Sequence, residues 1–412
     1  MTASDIPLER RPAIDVVRVG ALVAVVVGHL LMAVVDQGPD GAVRGVNLLE
    51  LEPGWKWLTL LSPMPLFFAA GGWANATSSA PAAARRLRPI VGLAAVVVGL
   101  WYLPAVVELA LEGDRGVLGD GARLATQPVW FLAAYVPFAA GGGWLARCAR
   151  RPGWSIGACV ALLALADAAR FAFDAGDLVG WVGFLPAWAV PWLLGAWWRQ
   201  AVGRRSDVRR FELGRGAVLA GGALLLGAAL VRWAGYSPTL VDAVPGDRSN
   251  TTPPTSFTAV AAVGQVGLLM IAAGVLDRWG ARWRTLVDRA AAVSVPVYLW
   301  HLTALALCSG AVTAGLPVPE RLTVGWWLTR PFWWAAVLAV TGLLVVLTAR
   351  GHAMLERHRR HVPSSSGTGT MRIGVIVAAA GAAMVGLRGP ASVALAAAAL
   401  AALIAGWRML RA

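Results

Sequence analysis

Long apolar runs, separated by short arginine-rich or acidic stretches, set the pattern of this chain. A helix needs about 20 apolar residues to cross a bilayer core. Runs of that kind lie near 13–35, 57–76, 89–110, 128–147, 154–171, 181–198, 216–235, 256–276, 291–314 and 325–349. The 154–171 run is the weakest of them, because it carries Asp167 and Arg170. Two shorter Ala-rich runs follow, near 373–387 and 391–407, split by Arg388-Gly389-Pro390. A Gly-Pro break between apolar helical runs predicts a hairpin. The expected fold class is all-α: a polytopic transmembrane helix bundle of about ten core spans plus a C-terminal hydrophobic hairpin. Three parts follow: residues 1–350 as the transmembrane domain, 351–371 as a cytoplasmic basic segment and linker, and 372–412 as the hairpin. The linker reading rests on Pro363-Ser-Ser-Ser-Gly-Thr-Gly-Thr370, a flexible composition that leaves the hairpin peripheral to the body.

Composition agrees with the pattern and adds orientation. Hydrophobic residues make up 58% of the chain and charged residues 14%, with a mean hydropathy of +0.64, as in membrane proteins. The 21 Trp fit the enrichment of indole at membrane interfaces. Of the 36 basic residues, 25 fall on alternate loops and both ends, which by the positive-inside rule places both termini in the cytoplasm of a plasma-membrane protein. The opposite loops are acidic. The +14 charge therefore sits between spans and builds no basic groove, so no nucleic acid partner is expected. The first apolar run is followed by acidic sequence with no small-residue cleavage site, and reads as a retained span. Cys148, Cys159 and Cys308 lie in or beside apolar runs with no metal-type spacing, as small hydrophobes do.

Candidate chemistry concentrates in the first run. Arg18 and His29 are eleven residues apart, roughly 1100° of helical rotation, which is within about 20° of three full turns. They share one stripe of a helix, about 16 Å apart along its axis. Asp15 lies three residues before Arg18 on nearly the same face, at ion-pair spacing. Ionisable groups inside a span are costly and face a protein interior or a wet site. A cation near one membrane face and a deeper imidazole suit an anionic donor at one end and proton transfer at the other. A neutral imidazole can take a proton from an attacking hydroxyl or carry an acyl group covalently, and the spacing does not choose.

The blocks Ile14-Asp15-Val-Val-Arg18 with His29, Pro65-Leu66-Phe67-Phe68 with Gly71-Gly72-Trp73, Arg85-Arg86-Leu87-Arg88-Pro89, Trp130-Phe131-Leu132 and Tyr298-Leu299-Trp300-His301 occur in this order. Together they resemble acyltransferase family 3, the polytopic membrane acyltransferases, over about 10–350. Gly71 stands where that family often has Ser, and no extracellular hydrolase-like domain follows the spans. The resemblance implies an O-acyltransferase moving an acyl group, such as acetyl, from cytoplasmic acyl-CoA. The acceptor it implies is a hydroxyl of a sugar, cell-envelope glycan or glycosylated metabolite. His29 and Arg18 would be catalytic; Asp15, Arg85, Arg86, Arg88, His301, Trp130 and Phe68 would bind substrate. Acyl-CoA would be a substrate, and no resident cofactor is implied.

The rival class is a proton- or anion-coupled transporter, because midplane ionisable groups serve both classes. Other features carry less. Arg85, Arg86 and Arg88 read as a cytoplasmic loop suited to a polyanionic donor. Asp167 with Arg170 reads as a helix pair or cavity lining, and Glu108 as a residue of an outer mouth. His352, His358 and His361 stand among arginines without acidic ligands, so no metal is expected. Gly141–Gly143 would loosen a helix or permit close packing.

Overall fold

The computed structural model describes residues 10–37, 43–112, 116–173, 175–240, 249–314, 319–358, 368–388 and 392–410. Its elements in chain order are α1 (Pro12–Met32), the strands β1 (Ala33–Gln37) and β2 (Val43–Asn47), α2 (Leu48–Leu51), a 3-10 helix Pro53–Leu61, α3 (Met64–Asn75), α4 (Ala80–Glu112) and α5 (Val117–Thr126). Then come α6 (Trp130–Ala140), α7 (Gly142–Cys148), α8 (Pro152–Ala172), α9 (Asp177–Gly180), α10 (Phe184–Val202), α11 (Val208–Trp233) and α12 (Ser256–Arg282). The last are α13 (Arg284–Thr313), α14 (Val324–His358), α15 (Thr368–Arg388) and α16 (Val393–Met409). The chain is an all-α polytopic bundle, its one described sheet being the antiparallel pair β1–β2.

Eight described helices are long and apolar enough to cross a membrane, or nine if a bent pair that breaks at Gly141 counts as one span. The run at 154–171 is among them despite its charges. The run at 57–76 is not. It divides at Ser62-Pro63 into the 3-10 helix and the 12-residue α3, and twelve residues rise only about 18 Å. The break survives in apolar surroundings because its carbonyls are met: Gln265 of α12 donates to the oxygens of Leu60 and Ser62 (3.1 and 3.0 Å). At the other end of α3, Arg199 donates to the Trp73 carbonyl (3.1 Å).

The chain forms two compact units. The first holds 1–25, 49–83 and 141–292. At its centre α10 packs on α3, with α8 and α12 beside it. Ala13, Ile14, Trp73, Leu163, Leu194, Trp198 and Met270 belong to the buried core. Backbones touch here. A Cβ on Gly72 would strike the Trp192 carbonyl, and one on Gly195 the Ala69 carbonyl. Close approach through small residues is how helices associate without a solvent-driven force. Gly72→Ala is therefore expected to lower stability by about 1–3 kcal/mol through overpacking. Gly222→Ala on α11, with nothing within 4 Å, should leave it unchanged or raise it. Thermal unfolding of the detergent-solubilised variants compares the two.

Two polar clusters pin this unit. Arg11 is buried between two carboxylates: Nη1 and Nη2 reach Glu212 (2.5 and 3.1 Å), and Nε and Nη2 reach Asp277 (2.9 and 2.6 Å). Its guanidinium lies over the Trp73 and Trp198 rings at 5.5 and 5.2 Å, and Trp198 Nε1 donates to Glu212 (2.9 Å). Burial alone would lower the Arg11 pKa, but bonds and charges from Glu212 and Asp277 overturn that and raise it. Asp277 also accepts from the Ala13 amide (2.9 Å), fixing the start of α1. In the second cluster Asp167 accepts from the Tyr236 hydroxyl (2.8 Å) and the Ser256 amide (2.7 Å), while Arg170 pairs with Asp177 (2.7 Å). Asp167 and Arg170 thus serve other partners and are no pair with each other. Burial and the Asp167 charge push the Tyr236 hydroxyl pKa up.

The second unit holds 26–48, 84–140 and 293–412. Here α15 packs along both α16 and α6. Trp407 of α16 lies against Gly92 of α4, where a Cβ would sit 2.7 Å from its indole nitrogen. The hairpin α15–α16 is thus seated on α4 and α6; of the segment 351–371 before it, α14 takes the residues up to His358 and α15 those from Thr368, and 359–367 lie outside the described residues. Trp326 at the start of α14 is buried against Val34 and Leu48 of the β1–β2 region. Glu108, read as a mouth residue, instead accepts from the Leu118 and Gly119 amides (3.0 and 2.8 Å) at the start of α5, where a carboxylate meets unpaired N–H groups.

Candidate active site

His29 sits in the last turn of α1, half-buried, and His301 lies fully buried in the middle of α13. Both belong to the second unit. Their rings are nearly parallel, centroids 5.0 Å apart with 16° between planes, and Nδ1 of His29 is 2.8 Å from Nε2 of His301. Nδ1 of His301 is 2.7 Å from the carbonyl oxygen of Tyr298, one turn earlier.

Three ties hold this stretch of α13. The Tyr298 hydroxyl donates to the Pro128 carbonyl (3.1 Å). Trp300 Nε1 donates to Thr348 of α14 (3.0 Å), and Trp101 Nε1 of α4 donates to Thr303 (3.1 Å). Phe131 meets the Tyr298 ring edge-on at 5.5 Å and stacks on Tyr135 at 4.9 Å. Trp130, the first residue of α6, contacts Phe131 at 6.5 Å. The imidazole pair is thus mounted on helices, whose side chains hold position better than those of loops.

The other predicted site residues have these surroundings. Arg18 and Asp15 lie in the part of α1 that belongs to the first unit. The ion pair read for Asp15 with Arg18 is made instead with Arg10 (3.0 Å), which also reaches Asp288 (2.6 Å). Asp15 points back toward the start of its helix, and Arg10, just before α1, meets it there. Phe68 is buried in the first unit and stacks on Trp188 at 5.0 Å, a core contact. Arg85, Arg86 and Arg88 occupy the first turns of α4 and not a loop; Arg85 and Arg86 are exposed and Arg88 half-buried. Gly71 has no room for a hydroxyl-bearing side chain, since a Cβ there would meet the Trp192 ring at 2.6 Å. Trp192 takes that space.

Sequence reasoning missed the ties of Tyr298, Trp300 and Thr303, and it counted Arg11 among loop charges. Glu212, which the sequence reading left between apolar runs, falls inside the longer α11 of the structure, where an acid needs a partner. The three cysteines are free and half-buried. His361 and the side chains of His352 and His358 lie outside the described residues. Among the described residues, no group of three His, Cys, Asp or Glu is arranged to hold a metal ion.

The arrangement can take up a proton and give it back, which acyl transfer to a hydroxyl requires. Comparison with known proteins adds the family. A family model described as an acyltransferase domain matches residues 11–350. No curated protein and no solved structure matches the chain. The match covers α1, which carries His29, and α13, which carries His301. The chain therefore belongs to acyltransferase family 3, the polytopic membrane acyltransferases.

Proposed function

We propose that the protein moves an acyl group, acetyl as the working case, from cytoplasmic acyl-CoA to a hydroxyl of a sugar, cell-envelope glycan or glycosylated metabolite. The His29–His301 pair carries this reading: one imidazole held by another keeps a ring nitrogen for the acceptor hydroxyl. Arg18, Arg85, Arg86 and Arg88 each offer a guanidinium, the group suited to the phosphates of such a donor. Trp130 supports the wall beside Tyr298 and His301 through Phe131. Asp15 keeps Arg10 in place at the head of α1. The protein lies in the plasma membrane with both termini cytoplasmic, as the distribution of arginines favours. Residues 1–350 form the acyltransferase domain, followed by a basic linker and the hairpin.

The purified protein in detergent, given acetyl-CoA and cell-envelope extract, is expected to release free CoA thiol without any transmembrane gradient. Its extract-dependent rate should exceed the rate with acetyl-CoA alone. No thiol release across several acyl chain lengths, alongside gradient-dependent flux in vesicles, would replace this reading with transport.

A further inference from the structure

We infer that His301 is a positioning residue: it locks His29 into the tautomer with hydrogen on Nδ1, leaving Nε2 of His29 as the basic atom. The inference rests on the acyl-transfer reading for its use, but not for its geometry. A carbonyl oxygen only accepts, so His301 must carry its hydrogen on Nδ1 to meet Tyr298. A neutral His301 then has an acceptor at Nε2. The atom facing it, Nδ1 of His29, must donate. With both rings neutral, every nitrogen in this chain of bonds has a matching role and no charge is placed in the apolar interior. The order of donation is His29 Nδ1–H to His301 Nε2, then His301 Nδ1–H to the Tyr298 carbonyl. The lone pair of His29 Nε2 is the one ring acceptor that these two bonds do not consume.

The direction of the chain has a second consequence. It ends on a backbone carbonyl, which cannot take a proton onward. A proton received at Nε2 of His29 can delocalise toward His301 but cannot leave through it. It must depart from the same Nε2. That suits a reaction needing a proton taken and returned at one place. The acceptor oxygen bonds to the thioester carbon as its proton passes to Nε2. The C–S bond then breaks with its electron pair going to sulfur, and Nε2 returns the proton to give CoA thiol and the O-acyl ester. It does not suit a conducting relay, which needs an exit different from its entrance. The ties through Tyr298, Trp300 and Thr303 keep the carbonyl and His301 in register.

The test combines tautomer and rate. Full-length protein with 15N-labelled histidine contains five His, few enough to assign by single substitutions. Nitrogen chemical shifts should show His29 protonated at Nδ1 and bare at Nε2. In His301→Leu this preference should vanish, and thiol release from acetyl-CoA should fall by about 10²-fold or more, with the KM for acetyl-CoA little changed. His301→Gln keeps an acceptor for His29 and a donor for Tyr298. It should retain the tautomer and a rate within about tenfold of the parent protein. A bare Nδ1 on His29 in the parent protein, or a tautomer unaffected by His301→Leu, overturns the inference. So does an equal loss of rate in Leu and Gln variants with the tautomer kept in both. Parent protein that shows the tautomer yet releases no thiol contradicts the acyl-CoA reading and leaves the positioning role standing on the spectra.

Discussion

Thiol release by His29→Ala protein is expected to fall by about 10²–10⁴-fold, the usual worth of a positioned general base. That corresponds to about 3–5 kcal/mol of lost transition-state stabilisation. The loss should appear in kcat, because the base acts as the acceptor oxygen attacks and not as the donor binds. Alanine also strands Nε2 of His301, a buried acceptor, at a cost of about 1–3 kcal/mol in stability. His29→Gln separates the two effects. Its amide can still donate to His301, so the fold is kept, but it cannot take a proton. Equal rates in parent and His29→Gln protein would remove His29 from the chemistry.

The second large effect concerns folding. Arg11→Met should cost about 3–5 kcal/mol, because it leaves Glu212 and Asp277 buried with two uncompensated charges. The expected result is a much lower unfolding temperature in detergent, or aggregation on size exclusion. The loss should be non-additive. Adding Glu212→Gln to Arg11→Met removes one of the stranded charges, so the double variant should be more stable than the sum of single losses. If Arg11→Met unfolds at the parent temperature, the cluster carries no stability and the two carboxylates must have taken up protons.

Much of the architecture was legible because spans announce themselves by length and hydropathy. Even 154–171 was, since two charged residues toward the end of an apolar run, each met by a partner elsewhere, do not prevent a helix. The run at 57–76 misled because hydropathy is blind to Ser62-Pro63, where a proline without N–H divides a short helix from a 3-10 turn. The carbonyls freed there are met by Gln265, some 200 residues later, and no local pattern predicts that. The site divided in the same way. His29 and His301 each stood out as imidazoles in apolar runs, but their pairing is a tertiary fact. Arg11 was hidden by its position: an arginine at the edge of a span reads as a topology signal, and only packing shows that α11 and α12 supply acids to bury it. Asp15 at helical spacing from Arg18 gave a plausible pair, yet a nearer cation before the helix took it.

The interleaved threading of the two units bears on how the molecule is made. Domains of most chains fold in order as they leave the ribosome. Here the first unit closes only after residue 292, and the second only after the hairpin. His301 follows His29 by 272 residues, so at about 5–20 residues per second a nascent chain waits roughly 14–54 s between making one imidazole and its partner. For that interval the first span holds a histidine whose tautomer nothing fixes, and a chain abandoned midway has neither unit complete. Slow elongation or early release would therefore be felt by this protein as loss of assembled molecules, with no partially working intermediate.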